Sequence, residues 1–148
     1  MLIKYQKFIT PGPNGTTVTV NVVGTELCTI DGWTYFCPSS GVAPTDQDSR
    51  IQTSISVVNP DAALKDEIKK ASPHCVLIKN RRQEAILSAG YDEKDQQAFL
   101  HFGVRAAIGP AIGMPLLSDG QAAALTAYAA VCLTADTAAG EAYAALGL

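Results

Sequence analysis

The chain has 148 residues, 47% hydrophobic and 17% charged, with a formal net charge of -3 and a mean hydropathy of +0.12. These values fit a compact globular chain and exclude a disordered, collagen-like or coiled-coil polymer. The mildly acidic balance also excludes a protein whose main task is neutralising nucleic-acid phosphates, which takes clustered Lys and Arg.

The first residues, Met1 to Phe8, alternate apolar and polar side chains and lack the continuous apolar run of a secretory signal. Cys28, Cys37, Cys75 and Cys132 are widely spaced with no Cys-x-x-Cys pair. Neither a disulfide framework nor a metal or redox site is expected, and synthesis in a reducing cytoplasm is.

Pro13-Asn14-Gly15-Thr16 sets Asn-Gly between two β-branched stretches, the signal for a hairpin whose turn needs two left-handed residues. Its register predicts Ile9 opposite Val20. Ile3, Tyr5 and Ile9 then share a buried face with Val18, Val20 and Val22, leaving the opposite face mostly wet. Asp31-Gly32 predicts a second hairpin, with Cys28 opposite Tyr35 and Cys37 opposite Glu26. Residues 1 to 38 thus predict a β-meander of two hairpins.

Pro38 to Pro44 has linker composition, and helix punctuation follows it. Thr45 with Asp48 predicts a cap for a helix carrying Ile51, Ile55 and Val58 and ending at Pro60. Pro60 and Pro73 each suit a first helical position, opening helices marked by Leu64 and Ile68 and by Val76, Ile78, Ala85 and Ile86. The second of these stops at Gly90. Asp92 with Asp95 caps a helix bearing Phe99, Phe102 and Ala106, broken at Gly109-Pro110. Ser118 with Gln121 caps one bearing Leu125, Tyr128 and Cys132, and a last short helix is predicted from about Asp136 to Leu146. The expected fold is α+β: a meander and linker over residues 1–44, then five or six helices over 45–148, in one compact unit.

Candidate chemistry is sparse. Cys75 opens a helix, where unpaired amides favour a thiolate, but a nucleophile needs a positioned base and the chain holds only His74 and His101. His101 falls off the Phe99 and Phe102 stripe, so it is expected in solvent. Lys79-Asn80-Arg81-Arg82 lies in a stretch, residues 61 to 95, with seven basic and seven acidic side chains, which predicts a solvated face with local ion pairs rather than a phosphate site. Asp46, Asp48, Asp92 and Asp95 sit where helix caps are wanted. No cofactor and no metal are expected.

After Arg105 the only charges are Asp119, Asp136 and Glu141, and alanine dominates. The run Gly120 to Ala135 is sixteen residues without charge, short of the roughly 20 that a spanning helix needs, so no membrane partner is expected. This surface, neither charged nor bulky, suits contact with the meander or with another chain; the alternative is a helix apolar all round because it is central in its own domain.

Gly32-Trp33-Thr34-Tyr35, followed by Asp46-Gln47-Asp48-Ser49-Arg50-Ile51-Gln52, resembles a small domain near the ends of tail-fibre proteins of tailed bacteriophages. That family's pattern is Gly-x-x-Tyr or Trp on a short hairpin, then Asp-x-x-Ser-Arg opening a helix. The stretch from Ile78-Lys79-Asn80-Arg81-Arg82 to Ala89-Gly90-Tyr91 is similar to its arginine-bearing helix, which there precedes the hairpin and here follows it. The resemblance implies a virion protein of tail, fibre or baseplate, made in the host cytoplasm, non-catalytic, binding other virion proteins and its own copies. The expected contacts are an aromatic β-edge with Trp33 and Tyr35 and a helical surface with Leu125, Tyr128, Val131 and Tyr143. The alternatives are a small cytosolic enzyme using Cys75 or His101, or a ligand-binding module with an apolar pocket between meander and helices.

Overall fold

The computed structural model describes all 148 residues and is an α+β fold, an N-terminal antiparallel sheet followed by five helices. The strands are β1 (Leu2–Tyr5), β2 (Phe8–Ile9), β3 (Thr17–Val18), β4 (Gly24–Ile30), β5 (Trp33–Pro38) and β6 (Ser56–Val58). The helices are α1 (Ser49–Gln52), α2 (Ala62–Ala71), α3 (Pro73–Ser88), α4 (Glu93–Ile108) and α5 (Asp119–Ala145), with a 3-10 turn at Gly109–Ile112. The chain forms two compact units, one of residues 1–78 with 141–148 and one of residues 79–140. The change from strands to helices near residue 44 is therefore not where the units divide.

In the first unit the main sheet runs β4-β5-β1-β6, and β2 pairs only with β3. The second hairpin forms as predicted at its tip: Asp31 and Gly32 are left-handed at φ 50 and 78, Ile30 faces Trp33, and Cys28 faces Tyr35. A bulge then inserts Leu27, so Glu26 faces Phe36 and Cys37 faces Thr25, one place from the predicted register. The extra residue turns consecutive Leu27 and Cys28 onto the same core cluster.

The first hairpin departs from expectation. Phe8 faces Val18 and Ile9 faces Thr17, not Val20. Pro11 and Pro13 carry no amide donor, so the ladder stops after two residues and Thr10 closes the loop through the Thr16 carbonyl at 2.9 Å. Ile9 is 65% exposed, whereas Ile3, Tyr5 and Val20 are buried together with Phe36 and Ile51.

The sheet is also buried on both faces, where one wet face was expected. Leu2, Leu27, Tyr35 and Ile68 form a second cluster, with Leu64 of α2 and Leu146 and Leu148 of the C-terminal segment packed on it. The helix predicted through Ile55 and Val58 lasts one turn, capped by Asp48 rather than Thr45, before β6 pairs Val58 with Leu2 and Ser56 with Lys4. The run Ile55-Ser56-Val57-Val58 is β-prone, and β1 offers an unpaired edge whose backbone groups it satisfies. Asp61 caps α2, so Pro60 lies just outside that helix instead of opening it.

In the second unit Gly90 ends the α3 segment in a left-handed conformation at φ 92, with Tyr91 N–H reaching back to the Ile86 carbonyl. Asp92 and Asp95 form the reciprocal cap of α4, and Ser118 and Gln121 that of α5. The two C-terminal helices predicted from sequence are one, since α5 continues through Asp136 and Gly140 to Ala145. No proline interrupts it, and the hydroxyls of Thr126, Thr134 and Thr137 are satisfied on carbonyls one turn back.

Candidate interaction surface

Both hydrophobic core clusters lie in the first unit. The second unit buries only Ile86, Gly109 and Ala135, although Leu100, Val104, Ile108 and Leu133 are 65, 50, 52 and 68% exposed. A helical unit of this size normally hides an apolar stripe on each helix. Here the helices meet mainly through four rings. Phe99 stacks on Tyr128 with centroids 4.8 Å apart, Tyr91 sits edge-on to both rings, and Phe102 sits edge-on to Phe99.

The stacked rings prop α4 away from α5. Beside them the lining drops to Gly103, Ala107 and Ala129, which leaves an open groove of about 620 Å³ walled by Leu100, Val104, Leu125, Cys132 and Leu133. Gln96 and Asp136 also line it, and Asp136 is ion-paired with Arg82 of α3. This pair joins residues far apart in sequence, in place of the local ion pairs expected around Arg82. The carboxylate holds the Arg82 guanidinium above its ordinary range. Hydrogen bonding to Cys132, aided by burial, pushes the Tyr128 phenol up to about 12. On the other side of α5, Ala85 and small residues around Val131 line a second groove of about 370 Å³.

The sequence-predicted contact residues therefore separate. Leu125 and Tyr128 line the α4/α5 groove, and Val131 lines the opposite one. Trp33 and Tyr35 belong to the first unit and lie on β5, an interior strand, so the expected aromatic β-edge does not exist. Tyr35 is buried, and the Lys4 ammonium lies 4.7 Å from the Trp33 ring centre. Tyr143 is half-buried; its hydroxyl donates to the Cys75 carbonyl at 3.4 Å, and Lys69 stands 4.6 Å over its ring. The exposed Leu100 and Leu133 were missed by reasoning from sequence. Leu133 had a signal, a large apolar side chain on an α5 whose hydrophobic residues point all round, and Leu100 had one in standing beside Phe99 on α4, off the predicted Phe99 and Phe102 stripe.

Cys75 is 1% exposed, and burial pushes its thiol up, against smaller opposite effects from Ser72 and Lys69. That is the reverse of thiolate activation. His74 and His101 are both exposed. No group of three His, Cys, Asp or Glu side chains is placed to hold a metal ion.

The residues from Asp46 to Gln52 make local structural contacts. Asp48 caps α1 and grips the Arg50 guanidinium through both oxygens, at 2.9 and 2.6 Å, which holds its carboxyl well below the usual range. Arg50 in turn lies 5.0 Å from the Phe8 ring centre, and the Gln47 side chain accepts from the Asn21 amide at 2.6 Å. Asp46, the first residue of the motif, is left-handed at φ 57.

By length and composition α5 could cross a membrane: its best window has a mean hydropathy of 1.3 and is 6% buried. The charge-free run counted from sequence ends at Asp136, but the helix does not. Its last turn nevertheless belongs to the first unit, with the Cys37 thiol donating to the Ala145 carbonyl at 3.4 Å. Compared with protein-family models, curated proteins and solved structures, the chain matches none.

Proposed function

We propose that this chain is a non-catalytic structural adaptor of a tailed-phage particle, in tail, fibre or baseplate, acting through protein–protein contacts that include its own copies. The virion setting rests on the resemblance of Gly32 to Tyr35 and Asp46 to Gln52 to the tail-fibre domain. The mode of action rests on one observation, the exposed apolar face of α4 and α5 around Leu100, Val104 and Leu133. A contiguous patch of this kind costs solubility unless something covers it.

Other readings fit less well. A thiol enzyme needs an accessible, activated sulfur, and Cys75 is buried with its thiol pushed up. A small-ligand site needs convergent polar groups to orient its guest, and the only charged lining residue, Asp136, is occupied by Arg82. A membrane span of about 20 residues in α5 could not avoid both Asp119 and Asp136, and the end of the helix is held in the first unit through the Cys37 thiol and the Ala145 carbonyl.

Light scattering of the full chain, alone and mixed with tail-fibre and baseplate proteins, tests the proposal. Defined complexes are expected. A stable monomer at high concentration, both alone and in every mixture, overturns it.

A further inference from the structure

Resting on that reading, we infer that the α4/α5 groove is the seat of a second copy of this chain, packed about a two-fold axis passing near Cys132. The groove carries both halves of a self-complementary contact. Leu100 and Leu133 protrude, 65 and 68% exposed, beside hollows floored by Gly103 and Ala129. In an isologous contact each chain offers the same knobs and the same hollows. A two-fold rotation that reverses the groove sets the Leu133 of each chain over the hollow of the other.

Charge favours a neutral, apolar partner over an ionic one. Gly120 to Ala135 carries no charge, and Asp136 enters the contact already matched by Arg82, so no unpaired charge is desolvated. Area is of the right order as well. The α5 stretch in this unit is about 33 Å long and α4 about 24 Å, each about 10 Å across, on the order of 600 Å² in plan before side-chain relief adds to it. A standard interface takes about 800 Å² from each partner. Along the groove the midpoint falls between Leu100 and Gly103 on one wall and Ala129 and Cys132 on the other, which brings the two copies of Cys132 close to the axis.

The test uses the full chain. Sedimentation equilibrium should give a dimer, and a short bismaleimide should link the two chains through Cys132, with the link absent from Cys132→Ala. Leu133→Glu should weaken the dimer by about tenfold or more, because it places a charge in the interface core, while leaving the far-ultraviolet circular dichroism unchanged. Leu133→Met, close in volume, should keep the dimer. A monomer at all concentrations, a dimer indifferent to Leu133→Glu, or a dimer never linked through Cys132 overturns the inference. So does uptake into phosphatidylcholine vesicles in place of dimer formation. A chain that is monomeric alone but binds fibre or baseplate proteins through this face defeats the second-copy assignment and leaves the adaptor reading standing; monomers throughout defeat both.

Discussion

The ring of Tyr128 lies on the ring of Phe99, planes 15° from parallel and centroids 4.8 Å apart, and this contact spaces α4 from α5. Because the second unit buries so little else, the stack carries an unusual share of its cohesion. Phe99→Ala should therefore cost about 2 kcal/mol, below the range for fully buried phenylalanines because the ring is half-buried. Native-state hydrogen exchange should show the loss concentrated in residues 79–140, with β1, β4 and β5 protected as before. Uniform loss over the whole chain would contradict the assignment.

Gly147 ends α5 in the left-handed conformation at φ 77, with Leu148 N–H reaching the Tyr143 carbonyl at 3.0 Å. A Cβ there would stand 3.1 Å from the Leu2 amide nitrogen. Gly147→Ala meets both a disfavoured backbone and a crowded neighbour, and should destabilise the first unit by about 1–3 kcal/mol. Urea denaturation followed by Trp33 fluorescence measures it. Gly140→Ala is the control: it sits inside α5 with open space around it and should be neutral or stabilising by up to about 1 kcal/mol.

Tyrosine ionisation sets an alkaline limit. Tyr5, Tyr35 and Tyr143 are pushed up mainly by burial, and Tyr128 to about 12 chiefly by its bond with Cys132. Unfolded tyrosine titrates near 10. Folded pKa values above the unfolded one mean that the protonated phenols favour the native state. Their contribution is whole below about pH 10 and is lost as pH rises toward 12. Absorbance at 295 nm should show phenolate forming late in the native protein, and the urea midpoint should fall across that window, after an earlier, smaller decline from about pH 8 as unfolded thiols ionise while the Cys75 and Cys28 thiols, pushed up by burial, stay protonated.

Native thiol titration separates the four cysteines. Cys75, enclosed and with its thiol pushed up, should stay unreactive at neutral pH, whereas the half-buried Cys28 and Cys132 react slowly and all four react on unfolding. Cys75→Ala should cost about 1–2 kcal/mol as a small core truncation and leave oligomeric state unchanged. A fast Cys75 signal in the folded protein would reopen the thiol-enzyme alternative.

Local signals determined a good deal of this protein. Asp31-Gly32 makes its tight turn, the Asp92–Asp95 and Ser118–Gln121 caps start α4 and α5, and Gly90 stops α3, because each depends on residues only a few places apart. Tertiary structure decided what local pattern leaves degenerate. Ile55 to Val58 fits a helix stripe or a strand, and the open edge of β1 selected the strand. Leu27 became a bulge because the core had room for it beside Cys28. The run from Asp136 could restart or continue a helix, and it continues, joined to α3 through Arg82 and seated beside Leu2 through Leu146 and Gly147. The same degeneracy hid the groove: spacing placed Leu125 and Tyr128 on a common face, but whether α4 closes over that face depends on how far two stacked rings hold the helices apart, a distance no single helix encodes.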